Sequence, residues 1–113
     1  MPGTARIEYS RARRRIIADM RDALVQLVAA ESAYAADSGR YTTNPGRPYW
    51  HGYPAHTVGP FILLTRNGWW AHLESTDFNV SCAVAVGGDT TIGNTPAGAP
   101  VCVGAGGWPA GAR

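Results

Sequence analysis

The sequence predicts an α+β fold: one long N-terminal helix packed on a small antiparallel sheet of three or four strands. Three observations carry this. Residues 10–38 hold an apolar stripe at helical spacing, residues 61–86 hold short apolar segments separated by turn signals, and a glycine- and proline-rich stretch divides the two. That order of helix, loop and meander places a sheet against one helix, with polar residues outward. At 113 residues the chain is one domain with room for one modest core.

In the helix, Ile16, Met20, Leu24, Leu27 and Tyr34 fall on one line, and Ile17, Val28 and Ala35 widen it. Ser10 has the side chain of an N-cap and Gly39 stands where a terminating glycine is expected. The opposite face, where a surface helix normally carries charge, reads Ala18, Val25, Ala29, Ser32, Ala33 and Ala36, with Asp19, Asp22 and Gln26 at its margins. A helix small and apolar on its back as well as its front is expected to be covered on both sides. The alternative is that alanine simply favours exposed helix. Glu31 projects into the apolar stripe, where a buried carboxylate needs a hydrogen-bond donor such as a backbone group or a tyrosine.

Residues 39–59 form the loop. Prolines at 45, 48, 54 and 60 forbid helix and discourage a central strand. Residues 61–64 are a continuous apolar run, and Asn67-Gly68 signals a hairpin turn. Residues 69–74 form the next strand, followed by Val80, Cys82, Val84 and Val86 in alternation with smaller residues. A polar stretch, 89–100, leads to a short closing segment around Cys102. The tail, 104–113, has almost nothing to bury and is expected to be a surface strap or disordered. The expected core is Leu24, Leu27, Val28, Tyr34, Ile62, Leu64, Val84 and Val86. Of the adjacent pair Trp69 and Trp70, strand alternation turns only one inward.

Apolar residues make up 45% and charged residues 16%, a folded composition. The net charge is +2, and all ten basic residues are arginines. Arg11, Arg13, Arg14 and Arg15 form a run at the start of the helical pattern. Spread over several sides of a helix, such a run reads as a solvated or interface surface rather than a phosphate-binding one, and no nucleic-acid partner is expected. Cys82 and Cys102, the only cysteines, lack the Cys-x-x-Cys spacing and fit one intrachain disulfide in an oxidising compartment, two free thiols being the alternative. Closing that loop stabilises a fold by roughly 3 kcal/mol.

Several segments resemble the type IV pilin and pseudopilin family. Ala18-Asp19-Met20-Arg21-Asp22-Ala23-Leu24, continuing through Ala30-Glu31-Ser32-Ala33-Tyr34 to Gly39-Arg40-Tyr41-Thr42, is similar to the helix end and first loop of many pilin-like proteins. Gly68-Trp69-Trp70-Ala71 is similar to a strand start in them. Cys82-Ala83-Val84-Ala85-Val86-Gly87 with Pro100-Val101-Cys102 resembles their disulfide-bounded C-terminal loop. The resemblance spans 11–102. It implies an extracellular or cell-surface structural subunit that polymerises with copies of itself into a helical filament, with no enzymatic activity and no cofactor. The family's apolar anchor of about twenty residues has no counterpart here: Met1-Pro2-Gly3-Thr4 leads directly into Arg6 and the arginine run. Membrane contact is therefore expected only if a hydrophobic segment is missing from this chain.

Other candidate chemistry is thin. His51, His56 and His72 lie in loop and strand, and zinc needs a further ligand such as Asp77. Ser75 or Ser81 with His72 and Asp77 supplies the residue types of a hydrolase without a nucleophile-elbow or oxyanion motif. Asn79-Val80-Ser81 is an N-glycosylation sequon, and Thr90, Thr91 and Thr95 are candidates for O-linked sugar. Tyr49, Trp50 and Tyr53 sit in the loop, with Tyr41, Trp69 and Trp70 near it. Amphipathic rings suit protein interfaces or sugar stacking, or simply roof a thin core. The expected subunit interface is the alanine strip with Arg11, Arg14, Arg15, Tyr49, Trp50 and Tyr53. The competing expectation is a monomeric secreted module that binds a sugar or a partner protein through that loop.

Overall fold

The computed structural model describes residues 2–46, 49–50, 55–87, 92 and 95–104, with side chains from residue 8 onward. It has one helix, α1 (Pro2–Ser38), and four strands, β1 (Thr57–Leu64), β2 (Trp69–Ser75), β3 (Ser81–Val86) and β4 (Val101–Val103). The strands form one antiparallel sheet in the order β1-β2-β3-β4, and α1 packs across it, as the sequence predicts.

The helix starts at Pro2, well before Ser10. Proline at a helix start forfeits an N–H that has no partner there anyway, and nothing from Ala5 to Arg15 interrupts helix. At 1.5 Å per residue its 37 residues span about 55 Å, matching the molecule's longest dimension of 56 Å. It ends as expected. Gly39 takes φ +83°, its N–H donates to the Ala35 carbonyl at 2.8 Å, and the Ser38 hydroxyl donates to the Tyr34 carbonyl at 2.7 Å.

The core lies between helix and sheet. Ile16, Met20, Ala23, Leu24 and Leu27 meet Trp69, Ala71 and Leu73 of β2 and Cys82 and Val84 of β3, all buried. Strand alternation turns Trp69 inward and Trp70 outward. Cys82 and Cys102 stand opposite each other across β3 and β4 and are joined as a disulfide.

The expected core needs correction at its margin. Leu24, Leu27 and Val84 are buried, but Val28, Tyr34, Ile62 and Val86 are half-buried and Leu64 is 42% exposed. The cause is width. Three strand spacings of about 4.8 Å make a sheet wider than one helix of about 10 Å covers. The helix lies chiefly against β2, β3 and β4, so β1 projects past it.

Two further expectations change. First, β1 starts at Thr57, inside the stretch read as loop. Its register shifts between Val58 and Phe61, around Gly59-Pro60, and an edge strand tolerates proline there. Second, the hairpin turns on Arg66 and Asn67, with the Thr65 N–H donating to the Gly68 carbonyl at 2.9 Å. Gly68 is not the turn glycine: a Cβ there would fall 1.8 Å from the Val86 carbonyl oxygen, so glycine is required by close approach to β3.

On the outer sheet face, Ile92 buries Ala83 and Ala85, with Trp70 and Val101 packed alongside. Most of the tail (105–113), and Tyr53, His51, Thr90 and Thr91, lie outside the described residues.

Candidate assembly surfaces

The back of α1 is open. Ala18, Val25, Ala29, Ser32, Ala33 and Ala36 are all exposed, Val25 to 52%. Arg11, Arg14 and Arg15 are exposed near its start, and Asp19 and Asp22 flank the strip. Among the described residues none of these five charged groups makes an ion pair. The face therefore offers a low-relief surface bordered by free charges of both signs.

A second exposed apolar surface was legible only in part. Val58, Phe61, Leu63 and Leu64 of β1 are each between 42% and 54% exposed. Phe61 stands opposite His72, and Leu63 opposite Trp70, on the outer face. The His72 ring lies between Phe61 and Trp70, with centroids 5.0 and 5.5 Å away. The sequence marks 61–64 as an apolar run. It does not say that this run forms an uncovered edge.

The aromatic loop turns back on its own body. The Tyr49 hydroxyl donates to Asp37 Oδ2 at 2.7 Å, and its ring meets Tyr34 edge-on at 5.4 Å. Bonding to that carboxylate raises the Tyr49 pKa above its ordinary value. Trp50 packs against the core, and Tyr41 meets the buried Trp69 edge-on.

Glu31 is fully buried at the loop's root. Its Oε1 accepts the Thr42 N–H at 2.9 Å, while Oε2 has no hydrogen-bond partner among the described residues. Burial raises its pKa, and the Thr42 hydrogen bond partly offsets that. The carboxylate pins the chain just after the helix to the helix itself.

The residue types of a hydrolase do not converge. His72 Nε2 lies 3.3 Å from Glu74, Asp77 lies 3.2 Å from His56 Nδ1, and the Ser75 hydroxyl oxygen accepts the N–H groups of Asp77 and Phe78. Ser81 faces Glu74 across β2 and β3. No group of three metal-ligating side chains occurs among the described residues, and no described helix is long and apolar enough to cross a membrane. Asn79 of the sequon is exposed in the β2–β3 turn. No protein-family model, no curated protein and no solved structure matches this chain, so the pilin-like resemblance rests on the sequence segments alone.

Proposed function

We propose that this chain is a structural subunit that self-assembles through the back of α1 into an extracellular, pilus-like filament. One observation carries the reading: a helix about 55 Å long buries one face against its own sheet and leaves a face of small residues exposed along 18–36. Small side chains let a neighbouring helix approach closely, so dispersion contacts accumulate along its length. Asp19 and Asp22 then meet Arg11, Arg14 or Arg15 of a neighbour and set the axial register. Such a contact joins two different patches, so it does not close on itself and propagates into a fibre. The disulfide is compatible with an oxidising, extracellular setting.

The competing reading, a monomeric module using the aromatic loop, has less support. Tyr49 and Trp50 are half-buried against their own protomer rather than presented outward.

Assembly is tested by sedimentation and negative-stain microscopy of the purified chain and of Ala29→Arg and Ala33→Glu. The wild type should form fibres. Each variant should form no fibres and keep an unchanged circular dichroism spectrum and melting temperature, because both positions are solvent-exposed in the protomer. Fibres of normal length from both variants would refute the helix contact. A wild type that remains at 12.0 kDa up to millimolar concentration would refute self-assembly.

A further inference from the structure

Among the described residues no strand lies beyond β1, and its outer edge has a defined pattern. The Thr65 N–H donates to the Gly68 carbonyl, and the register runs unbroken from Leu64 opposite Trp69 to Phe61 opposite His72. Hydrogen-bonded and non-hydrogen-bonded pairs alternate in an antiparallel ladder. Leu63 and Phe61 therefore direct their backbone groups at β2, whereas Ile62 and Leu64 direct theirs out of the sheet. The Ser75 N–H to Val80 carbonyl bond on the far side of β2 gives the same phase. An outward row of N–H and C=O groups is a template for another strand. The usual guards are confined to the start of β1, where the register shift and Pro60 lie. Along 61–64 there is neither charge nor proline.

We infer that the β1 edge pairs antiparallel with β1 of a second copy about a two-fold axis at Leu63. That register pairs Ile62 with Leu64 of the second copy, and Leu64 with its Ile62, joining the outward backbone groups of both strands. It sets the two Leu63 side chains directly opposite each other on the outer face. Phe61 comes opposite Thr65, so no like charges meet. On the inner face, Ile62 of the second copy falls beside Leu64, at the mouth of a cleft of about 490 Å³ lined in part by Ala35, Tyr41 and Leu64. The exposed parts of Phe61, Leu63 and Leu64 come to roughly 300 Å² per copy, or about 600 Å² for the pair, so the contact is of the small, transient class. A weak, concentration-dependent dimer follows. This contact is isologous and closes on itself, so it does not depend on the helix contact proposed above.

The test uses the full chain carrying Ala29→Arg, which removes the helix contact from the measurement. Sedimentation from 10 µM to 1 mM should show a shift from 12.0 kDa toward twice that mass. Adding Leu63→Lys, which opposes two like charges at the axis, should weaken the dimer at least tenfold without changing the melt. Oxidised Leu63→Cys should give at least ten times more covalent dimer than Val58→Cys, a similarly exposed position beyond the register shift. A chain monomeric at 1 mM, a dimer indifferent to Leu63→Lys, or equal crosslinking at the two positions would overturn the inference. Wild-type fibres lost in Ala29→Arg with no residual dimer would leave the helix contact standing and remove this one.

Discussion

The two edges of the sheet are finished differently. At one edge β4 has three residues, is tied to β3 by the Cys82–Cys102 disulfide, and has the Arg21 guanidinium donating to the Pro100 carbonyl beside it at 3.3 Å. At the other, β1 has eight residues, four of them exposed and apolar, and outward backbone groups at Ile62 and Leu64. Short, clamped edges resist pairing, and long apolar ones invite it. The contrast teaches that this fold ties one edge strand to the sheet covalently and, among the described residues, leaves the other edge uncovered.

The largest expected effect comes from attacking the open side at its root. Gly68→Ala drives a Cβ into the Val86 carbonyl, and backbone cannot yield as a flexible side chain does. It should cost about 3 kcal/mol or more, read by urea denaturation, and hydrogen exchange should show β1 losing protection before β4. Equal loss at both edges would mean that the hairpin and the clamped side unfold as one unit.

Removing the clamp is the converse experiment. Replacing Cys82 and Cys102 with serine opens the loop between them and should cost roughly 3 kcal/mol. Protection should then fall first at 101–103, making the two edges alike. Alkylation and mass spectrometry of native material checks the premise: both thiols should be blocked.

A smaller effect is expected between the edges, at Glu31. Its pKa in the fold is raised above the ordinary 4.5, so the folded state holds the proton more tightly than the unfolded chain. The resulting stability is fully present below 4.5 and is lost as pH rises through the raised folded value. Glu31→Gln keeps an oxygen for the Thr42 N–H and removes the charge, so its stability should stay flat where that of the wild type declines. Melting temperatures across pH 3.5 to 7.5 decide the matter, and parallel curves would exclude Glu31 as the source.

The smallest expected change is Tyr49→Phe, which deletes the exposed hydrogen bond to Asp37. The cost should be below about 1 kcal/mol, measured by thermal melt. A large loss would show that the aromatic loop braces the fold far more than its half-exposed geometry indicates.

Much of this architecture follows from local pattern. The 3.6-residue spacing of Ile16, Met20, Leu24 and Leu27 specifies the helix and its buried face, because only helical periodicity aligns those side chains. Alternation from Val80 to Val86 specifies β3, and the isolated cysteine pair specifies the covalent link. The exposure of the alanine strip and the edge position of β1 were not local properties. Ile62 and Leu64, in the apolar run 61–64, read as core because apolar runs usually are buried. Leu64 is left uncovered because a single helix is narrower than four strands and settles over β2 to β4, whereas Phe61 and Leu63 are exposed because they face the outer side of the sheet. Likewise Asn67-Gly68 reads as a turn, whereas Gly68 answers to a backbone atom of β3 that lies eighteen positions away in the chain. Sequence by itself determined which segments become helix and strand and which cysteines stand alone to pair. Tertiary structure decided which apolar residues are left facing solvent, because that depends on relative widths and close approaches that no short window of residues contains.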